Sequence, residues 1–250
     1  MAQMSRSLTP VSRVGVDERA AALGKRSIKT SAKREGIRIA TSMLDLTTLE
    51  GSDTPGKVRH LCAKAVVPDP TRPEIPSCAA VCVYPALVPV AREAYLSGDD
   101  ARVAREIEAV KAACGDAHLK VILETAELPT YAHVRHASQL AIDAGADFIK
   151  TSTGKAKTGA TPGVVLVMLE TVRDHAWRTG QIIGVKAAGG VSTTKQAMHM
   201  LVLVKETLGD EWLTPDRFRF GASSVLNDLL MQYAKLDSGH YGRSEDFSKE

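Results

Sequence analysis

Two lysines carry the chemistry this sequence could do. Lys150 ends the apolar run 147–152 (DFIKTS) and is followed by Thr153, Gly154 and Lys155, while Lys186 stands in the run 182–188 (IIGVKAA), next to the diglycine Gly189 and Gly190. An amine attacks a carbonyl only when neutral, and desolvation with a neighbouring cation can bring a lysine pKa from about 10.4 toward about 7 to 8. A lysine among apolar strand residues is costly without a partner. Two of them at strand ends therefore read as a device for making one nucleophilic amine, suited to Schiff-base chemistry on a carbonyl compound. The plainer alternative, lysines that snorkel to solvent or pair with carboxylates, stays open on the residues alone.

Three glycine and hydroxyl turns follow the last three apolar runs: Thr153 and Gly154 with Lys155, then Gly189 and Gly190, then Gly221 with Ser223 and Ser224. Backbone amides at such turns, near helix starts, attract anions, so they point to a phosphate. Asp45, in MLDLTTL, and Glu124, ending LKVILET, are carboxylates at strand ends. Each could carry a proton or pair with a central lysine. Cys82 and Tyr84 are expected to pack or to line a pocket rather than react.

The elements that must position these residues are βα units. Six apolar or β-branched runs, at 37–46, 79–84, 119–125, 147–152, 182–188 and 218–222, alternate with segments of helical period. Thr161 with Pro162 marks a helix start that Gly180 closes, and further helices are expected over 132–144, 194–208 and 223–236. Asp53 with Pro55 opens another, with Val58, Leu61, Cys62 and Ala65 inward, and Asp99 or Asp100 caps one with Val103, Ile107, Val110 and Cys114 inward. Residues 1–36 are expected to form a basic arm, mobile or partly helical, 37–236 a single βα domain, and 237–250 a mobile tail.

At 250 residues, 44% hydrophobic and 24% charged, the chain can bury one sizeable core. No apolar stretch approaches the roughly 18 residues of a membrane span. Four cysteines without CxxC or matching histidine spacing support neither a disulfide framework nor a metal site, and imply buried thiols in a reducing, cytoplasmic setting. Residues 1–40 hold nine Lys/Arg against three acidic residues. No aromatic residue interleaves them, which argues against a nucleic-acid arm and for a solvated leader with a short helix.

Taken together, FIKTSTGK, GVKAAGGV, MLDLTTL, VCVYP, LKVILET and FRFGASS, in this order over residues 37–236, resemble the deoxyribose-phosphate aldolase family. The resemblance implies a (β/α)8 barrel of TIM type and cofactor-independent class I aldol chemistry. The implied reaction is reversible cleavage of 2-deoxy-D-ribose 5-phosphate to acetaldehyde and D-glyceraldehyde 3-phosphate. It further implies that Lys150 forms the Schiff base, that Lys186 lowers its pKa, that Asp45 lines the reacting end, and that Lys155, Gly189, Gly190, Gly221, Ser223 and Ser224 surround the phosphate. The partner is then a small phosphorylated sugar, with no nucleic acid and no membrane, and a homo-oligomer is compatible with it.

One departure is large. After VCVYP and its helix, the family runs through two more strands, the second ending in an aspartate of the proton relay. Here Tyr95 is followed at once by LSGDDARVAREIEAVKAAC, which resembles the helix after that strand. About fifty residues, or two βα units, are expected to be missing, in agreement with six runs where eight are needed. An incomplete barrel and a truncated, catalytically impaired sugar-phosphate binder form the alternative expectation.

Overall fold

The computed structural model describes residues 10–48, 55–82, 100–154 and 159–240, without the side chains of Pro55, Val58, Arg59 and Cys82. Lys155, Tyr84, Tyr95 and Asp99 lie outside the described residues, as do residues 241–250 of the expected tail. Its elements run α1 (Arg13–Gly24), α2 (Thr30–Ser42), β1 (Asp45–Thr47), α3 (Pro55–Val66), β2 (Ala80–Cys82), α4 (Asp100–Cys114), β3 (Lys120–Ile122), α5 (Tyr131–Asp143), β4 (Phe148–Lys150), α6 (Pro162–Thr179), β5 (Gly184–Ala188), α7 (Thr194–Leu208), β6 (Phe218–Gly221) and α8 (Ser224–Ser238). Short 3-10 turns cover Thr125–Glu127 and Asp210–Trp212.

All strand pairs are parallel. One set pairs β1 with β2 and the other runs β3-β4-β5-β6. A parallel bridge between Leu44 and Phe220 joins them, the Phe220 N–H donating to the Met43 carbonyl at 2.8 Å. The order is thus β2-β1-β6-β5-β4-β3, with the first strand beside the last, as in a ring of βα units. Among the described residues the ring is open only between β2 and β3. Burial follows: β4 and β5 are buried throughout, whereas all three residues of β3 are half-buried. Between Asp100 and Leu119 the chain forms α4 and a turn, without a strand.

Helix ends fall where local chemistry puts them. The Thr161 hydroxyl accepts the Val164 N–H, Pro162 opens α6, and Gly180 closes it at φ 75°. Thr193 and Gln196 form a capping box on α7.

Three expectations need correction. The run 37–46 is not one strand: pairing begins at Leu44, which bridges Phe220, and continues over Asp45–Thr47, whereas 37–42 complete α2. Ile37, Ala40 and Thr41 are buried there at helical spacing, and β-branched Ile37 and Ile39 had mimicked a strand alternation. The short helix expected within residues 1–36 is present as α1, but it is not solvated: it packs on α6 and α7 and buries Val16, Ala20 and Leu23. That cover explains why residues 163–169 of α6 are buried without a polar face. The basic charge of the segment is used on its own barrel: Arg19 pairs with Glu170, Arg26 with Glu206 and Arg34 with Asp237. The expected inward stripe of α3 is also shifted, since Leu61, Lys64 and Ala65 are buried and Cys62 is exposed. Cys78 and Cys114 are half-buried.

Candidate active site

The ladder sets Ile122, Lys150, Lys186 and Arg219 in one row across β3, β4, β5 and β6. Neighbouring strands lie about 4.8 Å apart, so the two lysines start from adjacent posts on one side of the sheet. Lys150 is 4% exposed and Lys186 2%. Gly221 makes room for the second: a Cβ there would fall 2.8 Å from the Lys186 Cε.

Asp45, itself 2% exposed, reaches into this row from β1. Its Oδ2 accepts from the Lys186 ammonium at 2.5 Å and from the Lys120 ammonium at 3.3 Å, and its Oδ1 accepts from Arg219 at 3.1 Å. Burial pushes the Asp45 carboxyl up, but Lys186, Lys120 and Arg219 together outweigh it and hold the group below its usual range. Lys120 is shifted down, chiefly by burial and further by Lys186 and Arg219, against the pull of Asp45. Sequence reasoning missed Lys120 and Arg219. Their signal is the period of two, which puts Lys120 on the same face as Ile122 and Arg219 on the same face as Gly221.

A cavity of about 540 Å³ opens beside the row. Lys150 lines it, together with Thr153, Gly154, Gly189, Gly190, Gly221, Ser223 and Ser224, whereas Asp45 and Lys186 are not on its wall. The structure therefore separates the two lysines by position: Lys150 faces the open space, and Lys186 stands beside it bonded to Asp45. Lys57 and His60 of α3 complete the far wall with Thr47 and Thr48. These two lie outside the apolar stripe by which the sequence marks that helix.

The three glycine turns are not equivalent. At the first, the Thr153 N–H donates to Glu124 at 3.0 Å and the Gly154 N–H to the Ser152 hydroxyl at 3.0 Å, so both amides are already engaged. At the second, Gly189 and Gly190 take φ values of 85° and 95°, which only glycine adopts readily, but α7 behind them is capped by its own Thr193 and Gln196. At the third, Ser223 donates its hydroxyl to the Thr47 carbonyl at 3.0 Å and no side chain caps α8. Among the described residues, α8 is thus the helix start behind these turns without a side-chain cap, the arrangement suited to an anion.

Among the described residues Glu124 pairs with no lysine; its carboxylate accepts from Thr153, and its backbone is left-handed, with φ 48° and ψ 59°. Such a conformation costs a non-glycine residue about 1–2 kcal/mol. Among the described residues no cluster of three or more His, Cys, Asp or Glu could hold a metal ion. No described helix is long and apolar enough to cross a membrane.

Known proteins resemble this chain in sequence and in fold. A family model described as DeoC/LacD family aldolase matches residues 87–230. Mouse deoxyribose-phosphate aldolase is 38% identical over 282 residues, covering 89% of this chain and 88% of the mouse protein. Since 89% of 250 residues is about 222, some 60 positions of that alignment hold no residue of this chain. Among solved structures, a Toxoplasma gondii protein assigned as deoxyribose-phosphate aldolase superposes with a TM-score of 0.67 at 19% identity, covering 85% of this chain and 99% of its own. The deoxyribose phosphate aldolase from Aeropyrum pernix, described as a tetramer, gives 0.55 at 19% identity, covering 92% and 100%. These likenesses give the fold as that of a TIM-type barrel. With the motifs, the parallel ring and 38% identity along most of its length, the chain belongs to the DeoC/LacD family of aldolases.

Proposed function

We propose that this aldolase reversibly cleaves 2-deoxy-D-ribose 5-phosphate into acetaldehyde and D-glyceraldehyde 3-phosphate through a Schiff base on Lys150. The observation that carries the proposal is the row of two buried lysines with only Lys150 on the cavity wall. In the open-chain sugar, the Lys150 amine adds to the C1 carbonyl and water leaves, giving an iminium ion. Loss of the C3 hydroxyl proton then breaks the C2–C3 bond, its electron pair moves into an enamine, and C3 becomes the aldehyde of the three-carbon product. Protonation at C2 and hydrolysis release acetaldehyde and the amine.

Lys186 is the cation across the ladder that favours the neutral form of the Lys150 amine. Asp45 binds Lys186 and keeps it in place. The phosphate is held at Gly221, Ser223 and Ser224, where the α8 N-terminus is open, with Gly189 and Gly190 on the adjoining wall and Lys155 from outside the described residues. No cofactor takes part. The free thiols of Cys62, Cys78 and Cys114 suit a reducing, cytoplasmic setting, and the family setting suits a homo-oligomer.

Borohydride reduction in the presence of acetaldehyde should attach a two-carbon group to Lys150. Label on another residue, or none on folded protein, overturns the assignment. Lys186→Leu should slow trapping at pH 7 by about 10²-fold and move its onset to higher pH. Turnover at the rate of complete relatives would exclude the impaired alternative.

A further inference from the structure

Two consecutive residues after β3 tie both feet of the segment that follows Lys150. On the near side, the Glu124 Oε2 accepts from the Thr153 N–H at 3.0 Å and from the Thr153 hydroxyl at 2.5 Å. On the far side, the Thr125 hydroxyl donates to the Gly159 carbonyl at 2.9 Å. Both are anchored to the strand that carries the lysine. The Leu123 N–H donates to the Lys150 carbonyl at 2.9 Å and the Thr125 N–H to the Thr151 carbonyl at 2.8 Å. Beyond the last ladder pair, Ile122 with Lys150, these two bonds hold residues 123–125 against the end of β4, and Glu124 and Thr125 sit there.

Glu124 keeps this place at a cost. It is the residue other than glycine with positive φ among the described residues. Its second carboxylate oxygen, Oε1, is buried and has no hydrogen-bond partner among them. A buried acceptor without a donor is disfavoured, and a left-handed backbone at a side-chain-bearing residue is too. Both penalties fall on one residue behind a catalytic cavity, the setting in which local strain is retained for placement. Glu124 does not itself line the cavity; Thr153 and Gly154 do. With Oε2 committed to Thr153 and Oε1 buried, the carboxylate does not face the cavity among the described residues.

We propose that Glu124 is a positioning residue of the aldolase site. Acting through Thr153, it fixes the cavity wall beyond Lys150, and so sets how tightly the phosphorylated sugar is held without changing the reaction of the Lys150 amine with a small carbonyl. This rests on the aldolase reading, which the wild-type trapping experiment tests separately: absence of a Lys150 adduct in wild type defeats that reading, whereas the outcomes below concern Glu124 alone.

Glu124→Ala and Glu124→Gln are compared with wild type by steady-state cleavage of 2-deoxy-D-ribose 5-phosphate and by borohydride trapping with acetaldehyde. Glu124→Ala should raise KM about tenfold and leave the acetaldehyde trapping rate within about twofold. Glu124→Gln should stay within about threefold in KM, because the carboxamide oxygen can accept both Thr153 donors. An unchanged KM in Glu124→Ala, a loss in Glu124→Gln as large as in Glu124→Ala, or a parallel fall in trapping would each overturn the proposal. Should Glu124→Ala fail to fold, Thr153→Val removes the hydroxyl donor alone. It should raise KM about threefold with normal trapping, and an unchanged KM there overturns the proposal as well.

Discussion

Asp45 is where stability and chemistry meet, because one carboxylate answers three cations. Its folded-state pKa is depressed, so its contribution is fully present above the ordinary carboxylate range and is lost as pH falls through the lower folded value. Asp45→Asn should therefore lower unfolding free energy at pH 7 by about 3–5 kcal/mol, the usual cost of removing one partner from a buried ion pair. Urea titrations should show the deficit shrinking as pH falls below about 4; a deficit independent of pH would separate Asp45 from its partners. The carboxylate itself was legible in the sequence as a charged residue at the end of an apolar run. That Lys186 would be its closest partner was not, since they are 141 residues apart and meet only through the bridge of β1 to β6. Glu124 was legible as a strand-end acid too, yet its tie to Thr153 depends on strand register that no local pattern encodes.

Helix boundaries were readable where a cap fixed them, as at Thr161, Pro162 and Gly180. They were misread where two periods overlapped, as at 37–42, where Ile37 and Ile39 fit a strand alternation and Ile37 with Ala40 and Thr41 fits helical spacing. The basic segment shows a different limit: charge pattern alone does not say whether arginines face solvent or acidic residues of the same chain. Since Leu23 is 8% exposed and packed in the core, Leu23→Ala should destabilise the protein by about 2 kcal/mol or more. Removing residues 1–28 should lower Tm further, because it uncovers the apolar α6. Thermal unfolding followed by circular dichroism checks both, and a Tm equal to that of the full chain would mean that α1 is an ornament on the barrel.

At the scale of the molecule, the strand count read from the sequence agrees with a ring open at one junction. Whether β2 and β3 meet was beyond local pattern, since pairing across a junction is a property of two strands distant in sequence. Inner strands have partners on both sides, and β2 and β3 on one side among the described residues. Hydrogen exchange read by mass spectrometry should find peptides over 119–123 exchanging at least about 10²-fold faster than those over 184–188. Equal protection would show that another segment or a second copy completes the β3 edge.

The row that holds Lys150 opposite Lys186 is made of main-chain hydrogen bonds, and the spacing of the two amines is therefore not written in any side chain. Under the proposed mechanism, Thr153, the diglycine or the start of α8 can change to accept a different aldehyde while the ladder keeps the same ruler beneath the Lys150 amine. Reactivity then belongs to the backbone and taste for substrate to the turns.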